Sequence, residues 1–302
     1  MIGPTQALSV TASRTRQRAL GDFVALAKPR VVAMVLVTTA VGFYLGSRGA
    51  SDVMTFAFTL VGTGLAAAGT LALNQYLERD LDACMERTRM RPLPSGRLQP
   101  LDALVFGAAL TAAGLVLLTV RINALSGLVT ATIVVTYLFG YTPMKRRSPL
   151  CSLVGAVPGA LPPVTGWVAA TGGFAGGAWV LFAILFLWQL PHSLAIAKLY
   201  ADDYERAGFR LLPIVDRQGG STERQVVSDC AALLAVGLMP TVFGVAGPLY
   251  FVAALLLGLA FLGCGIALAV SSSTASARRL LVASLVYLPL LLAFMALDRV
   301  GV

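Results

Sequence analysis

The sequence predicts an all-α fold, a polytopic membrane protein of nine helical spans. Three observations carry the prediction: composition, the recurrence of apolar runs, and the placement of basic residues. Of 302 residues, 57% are hydrophobic and only 12% charged, against roughly 25% charged in an average soluble domain. This excludes a soluble globular protein, a disordered chain and a disulfide scaffold. The four cysteines, Cys84, Cys151, Cys230 and Cys264, stand far apart with no C-x-x-C pair, so neither a zinc site nor a redox couple is suggested.

A helix needs about 20 apolar residues to cross the hydrocarbon core. Runs of that order fall at 30–47, 53–77, 101–120, 123–141, 150–170, 176–199, 226–246, 248–270 and 280–297. The first begins after Lys28-Pro29 and stops at Arg48-Gly49. The second runs into the charged stretch that starts at Glu78, and the third and fourth are parted by Arg121. The fourth gives way to Lys145-Arg146-Arg147, the fifth to Gly172-Gly173, and the sixth to Asp202-Asp203. Gly247-Pro248 separates the seventh from the eighth, and the serines at 271–273 with Arg278-Arg279 precede the ninth.

The N-terminal tail and alternate loops hold 20 of the 23 Lys and Arg, while Arg48, Arg121 and Arg299 fall on the other side. The positive-inside rule places the N-terminus in the cytoplasm, and an odd number of spans places the C-terminus outside. Residues 1–27 lack an apolar core followed by a small-residue cleavage site, so they read as a mobile cytoplasmic tail, with 28–302 as a single membrane domain. The basic residues follow the membrane's faces, and no nucleic-acid partner is expected.

Of the 14 acids, 12 lie on the cytoplasmic side, in two main clusters. The first follows span two as N-Q-Y-L-E-R-D-L-D-A-C-M-E-R-T-R-M-R-P-L. On a helix Asn74, Glu78 and Asp82 stand at i, i+4 and i+8, one stripe about 12 Å long that can face a single ligand. Asp80 and Glu86 fall off the stripe, and the helix should stop by Pro92. The second cluster, Asp202, Asp203 and Glu205, follows span six. It emerges on the same face and can close over the same opening. Facing groups of hard oxygen donors suit Mg²⁺ held together with substrate phosphates. Lys145, Arg146 and Arg147 add positive charge there, and Arg87 and Arg91 lie in the first cluster. Acids and bases in a cytoplasmic loop also occur simply as a solvated, topological face. A carboxylate-held metal beside Lys and Arg is nevertheless what departure of a diphosphate requires.

At these residues the chain resembles the heme-farnesylating branch, protoheme IX farnesyltransferase or heme O synthase, of the UbiA-type intramembrane prenyltransferases. N-Q-Y-L-E-R-D-L-D looks like the branch's first aspartate-rich motif. K-P-R at residue 28, G-Y-T-P-M-K-R-R-S, G-A-V-P-G-A-L-P-P-V-T-G-W, W-Q-L-P-H-S-L and D-D-Y-E-R-A-G-F-R-L-L-P follow in the family's order from about residue 25 to 216. The resemblance implies nine helices around a lateral, lipid-accessible cavity. There Mg²⁺-bound farnesyl diphosphate loses diphosphate to an allylic cation, a vinyl group of heme B takes the chain, and water completes heme O. It makes Asn74, Glu78 and Asp82 the first metal–diphosphate motif, puts Asp202 and Asp203 in the second, and makes Lys145 a diphosphate contact. Arg146, Arg87 and Arg91 join it, with Tyr204 and Trp188 at the cavity. Glu78 departs from the superfamily's usual Asp, keeping the charge and adding one methylene.

His192 is the sole histidine, inside span six, where a polar group is a functional candidate; its imidazole could bind heme iron or a propionate. The implied setting is the cytoplasmic membrane of a bacterium, with the cavity's mouth inward and the product passing to a heme A synthase or terminal oxidase. A prenyltransferase acting on a quinone-ring precursor is the near alternative, decided only by the family segments. A cation-coupled transporter is the remote one, since its ion sites lie near the midplane rather than at span ends. The charge pattern makes a direct prediction: a reporter fused after Val302 should be active only outside the cytoplasm, and cytoplasmic activity would contradict the nine-span topology.

Overall fold

The computed structural model describes residues 20–47, 52–216 and 220–300. Most of the expected tail (1–19), Arg48, Arg217 and the last two residues lie outside them. Among the described residues nine helices are long and apolar enough to cross a membrane: α1 (Pro29–Gly46), α2 (Val53–Cys84), α3 (Pro100–Ile122), α4 (Ala124–Met144), α5 (Cys151–Thr171), α6 (Gly176–Leu199), α7 (Gly220–Val242), α8 (Pro248–Ser271) and α9 (Thr274–Leu297). The all-α, nine-span fold is thus the one the sequence predicts.

Two helices begin earlier than hydropathy suggests. Helix α7 starts six residues before the expected 226, and α9 starts at Thr274 rather than 280. The reason is local. Glu223 is buried and takes Lys198 and the Ser272 hydroxyl as partners, and Ser273 caps the first turn of α9. Residues 20–27, counted with the tail, are helical. Leu26 packs with Ala72, Leu93, Leu98 and Ala103, and its carbonyl accepts from Gln75 Nε2 at 2.7 Å.

Helices α5 to α9 share a dense core in which Trp167, Ile184, Tyr250, Phe261, Leu280 and Leu288 are buried. Helix α5 breaks at Leu161, ahead of Pro162 and Pro163, and carries Pro158 within its first half. Its second half meets α1 at backbone distance. A Cβ on Gly42 would stand 2.0 Å from the Pro163 carbonyl oxygen, and one on Gly166 would stand 2.0 Å from that of Thr39. Small residues let helices approach this closely where lipid supplies no hydrophobic drive. On the far side of α5 from the core, α1, α2, α4, α5 and α6 enclose an apolar cavity of about 350 Å³.

The α1–α5 contact yields a stability prediction. Gly42→Ala should lower the thermal midpoint in detergent by roughly 5 °C or more through overpacking. Gly263→Ala, where nothing lies within 4 Å, should leave it unchanged. Equal midpoints for both variants would mean that the close approach is not what holds α1.

Candidate active site

Asn74, Glu78 and Asp82 share one buried stripe at the end of α2, exposed by 2%, 5% and 1%, while Asp80 and Glu86 are exposed. Each member of the stripe meets a partner from elsewhere in the chain. Asn74 Nδ2 donates to Thr142 Oγ1 at 3.1 Å, fastening α2 to the end of α4. Lys145 Nζ, just past α4, donates to Glu78 Oε1 at 2.7 Å. Arg91 Nη1 donates to both carboxylate oxygens of Asp82, at 2.8 and 2.7 Å.

The second cluster closes on the first from α6. Asp203 is buried in the short helix Ala201–Arg206, accepts the backbone N–H groups of Glu86 and Arg87 at 3.2 Å each, and pairs with Arg206. Burial would raise its carboxyl pKa, but those N–H groups and the Arg206 guanidinium hold it below the usual value. Asp202, its neighbour, is exposed. Beneath this junction Met85, Cys151, Ala197, Phe209 and Leu211 form a small apolar cluster, and Arg210 N–H donates to the Lys145 carbonyl at 2.7 Å. Three loops distant in sequence are thereby locked together.

Lys145 is held among aromatic rings, 4.5 Å from the centre of Tyr141 and 5.7 Å from that of Phe209. Burial works against its charge, but the Glu78 carboxylate outweighs it and keeps the ammonium pKa above its ordinary value. Arg87 is exposed over the rings of Tyr200 and Tyr204, with Nη2 3.3 Å from the Tyr204 hydroxyl, and Arg146 is exposed. Tyr204, Tyr137 and Tyr141 line the cavity.

His192 stands apart from the cavity wall. Its Nδ1 lies 2.7 Å from Ser284 Oγ on α9, and its ring stacks on Trp188, whose Nε1 donates to the Ser284 carbonyl. Cavity-lining Gln189 and Ser193 are on a neighbouring face of α6. Sequence reasoning missed Lys28 as a site residue. It sits in the left-handed region (φ 48°) between the N-terminal helix and α1. Burial first, then the charges of Arg91 and Lys145, lower its pKa to about 7. Its signals were a Lys directly before Pro29 at the start of a span and its place in the K-P-R segment.

Among the described residues, no three carboxylate, Cys or His groups gather into a ready coordination set. The donors nevertheless fit a hard cation: two buried carboxylates and a carboxamide on one stripe, the carboxylates answered by the long side chains of Lys145 and Arg91.

The model of the UbiA prenyltransferase family matches residues 35–296. A protoheme IX farnesyltransferase of Solibacter usitatus is 48% identical, over 93% of this chain and 99% of its own length. Another, of Sorangium cellulosum, is 45% identical over 82% and 88%. Among solved structures, a digeranylgeranylglyceryl phosphate synthase has a TM-score of 0.79 at 16% identity, covering 93% of this chain and 98% of its own. A UbiA homologue from Archaeoglobus fulgidus bound to GPP and Mg²⁺ has a TM-score of 0.63 at 16% identity, covering 91% and 99%. The chain therefore belongs to the UbiA prenyltransferase family, within its protoheme IX farnesyltransferase branch.

Proposed function

We propose that the protein transfers the farnesyl group of farnesyl diphosphate to a vinyl group of heme B, with addition of water, giving heme O and diphosphate. One observation carries the prenyl-transfer chemistry: the buried Asn74–Glu78–Asp82 stripe, matched to Lys145 and Arg91, with Lys145 packed on Tyr141, a residue of the apolar cavity's wall. The heme acceptor is supported by the names of the relatives that are 45% and 48% identical.

Glu78, Asp82 and Asn74, with Asp202 or Asp203 from the second cluster, would hold Mg²⁺, which when bound offsets the charge of the departing diphosphate. Lys145 and Arg91 are poised to exchange partners, from carboxylate to diphosphate oxygens. Lys28, Arg87 and Arg146 add positive charge at the same end. As the C1–O bond breaks, its electron pair leaves with the diphosphate, and the allylic cation faces the rings of Tyr137 and Tyr141. The heme vinyl group supplies the electrons of the new C–C bond, and water adds a hydroxyl while losing a proton. Residues 28–302 act as one domain, and this end faces the cytoplasm of a bacterial cell. His192 would meet the porphyrin from the cavity's flank through Nε2, because Nδ1 is engaged with Ser284.

Purified protein with Mg²⁺, farnesyl diphosphate and either heme B or 4-hydroxybenzoate should yield only a mass equal to heme B plus farnesyl and hydroxyl. Prenylated hydroxybenzoate without heme O would promote the quinone-precursor alternative. Asp82→Asn should cut turnover by about a hundredfold or more while the folded protein persists. Lys28→Met should raise the KM for farnesyl diphosphate below pH 7 and matter less above it, where the lysine has lost its charge. Full Mg²⁺-dependent turnover in Asp82→Asn would refute the metal assignment.

A further inference from the structure

The far end of the cavity carries polar groups that none of the steps above uses. Thr63 of α2 and Thr130 of α4 both line it, and each is 2% exposed. Neither hydroxyl has a hydrogen-bond partner among the described residues. Their neighbours behave differently: Thr59, Thr70, Thr111 and Thr132 each donate to the carbonyl four residues back. A buried hydroxyl left unpaired is destabilising. A helical threonine has two ready χ1 rotamers, so a single rotation brings the hydroxyl from wall to lumen.

The two threonines lie at one depth. Helices α2 and α4 are fastened by the Asn74–Thr142 hydrogen bond; Thr63 lies 11 residues before the first, and Thr130 lies 12 before the second. At 1.5 Å per residue Thr63 is about 17 Å from that fastening, and Thr130, with the wider π-helical turn of Thr136–Tyr141 in between, lies slightly nearer. Consecutive residues of α3 confirm the level, with Leu118 packed on Gly62 and Thr119 on Gly127. An extended farnesyl chain spans about 14 Å, and a fourth isoprene unit adds about 5 Å, from ordinary carbon–carbon bond lengths. A C15 chain stops short of the pair, and a C20 chain runs into it.

We propose that Thr63 and Thr130 form a hydrated floor that sets prenyl-chain length, favouring C15 over C20. This rests on the prenyl diphosphate reading above. A water between the two hydroxyls has two polar partners, and the cavity has room for it. A C20 chain must expel that water and cover both hydroxyls with hydrocarbon, whereas a C15 chain leaves them hydrated.

The test compares kcat/KM for farnesyl and geranylgeranyl diphosphate, with heme B as acceptor, in the wild type, Thr63→Val, Thr130→Val and the double variant. Valine keeps the shape and β-branching and removes the hydroxyl. The double variant should raise the C20-to-C15 ratio about tenfold, through a lower KM for the longer chain, with C15 turnover within about twofold of wild type. Thr63→Ser, which keeps a hydroxyl, should retain the C15 preference. An unchanged ratio, or C15 and C20 rates falling together, would overturn the proposal. The same ratio read from competitive binding of the two diphosphates does not involve the acceptor. A protein that fails to farnesylate heme would therefore refute the reaction assigned above while this test still gave its own answer.

Discussion

A carboxylate cannot be buried at the edge of a membrane without an answering charge, and one end of this bundle is arranged around that constraint. Glu78 is buried on α2, and its counter-ion comes from Lys145, 67 residues on. Asp82 draws Arg91 back over the helix end, and Asp203 reaches across from α6 to hold the backbone at residues 86 and 87. Each pair also fixes a loop. The short connections that would otherwise wander are located by the electrostatic needs of these buried groups, so the polar cluster and the fold at this end are one set of interactions.

How far this could be read from the sequence depends on the range of the signal. Helical spans come from local hydropathy, and the Asn74–Glu78–Asp82 stripe comes from a period of about four residues, which a helix turns into one face. Both are visible without knowing where anything else in the chain lies. Pairings such as Glu78 with Lys145, or Arg210 N–H with the Lys145 carbonyl, depend on loop paths that no periodicity encodes. Lys28 was missed for the same reason, since the charges it senses, Arg91, Lys145, Glu78 and Asp82, come from the end of α2 and the loops that follow α2 and α4. The early starts of α7 and α9 were hidden because Glu223 and Arg278 lower the hydropathy of turns that remain helical. For His192 the sequence showed only its isolation in an apolar span; that one ring nitrogen is taken by Ser284 of α9 depends on a packing no local pattern encodes.

The bundle is also unequal across its width. Helices α5 to α9 pack large side chains to a solid core, while α1 and α2 make their contacts through glycines and threonines and leave space beside them. Rigid packing on one side and backbone-to-backbone contact between α1 and α5 on the other set the shape of that space. A cavity built in this way is preorganised for a long apolar chain, and little ordering cost is left for binding.

The prolines of α5 shape the cavity beside them. Pro158, Pro162 and Pro163 have no N–H to give, so the carbonyls of Val154, Pro158 and Gly159 lose the donor that an unbroken helix would provide. Pro158, Gly159 and Pro162 all border the cavity. At this break the chamber's wall is made of rigid pyrrolidine rings and a bare glycine, a contour fixed by the backbone that does not repack around what enters.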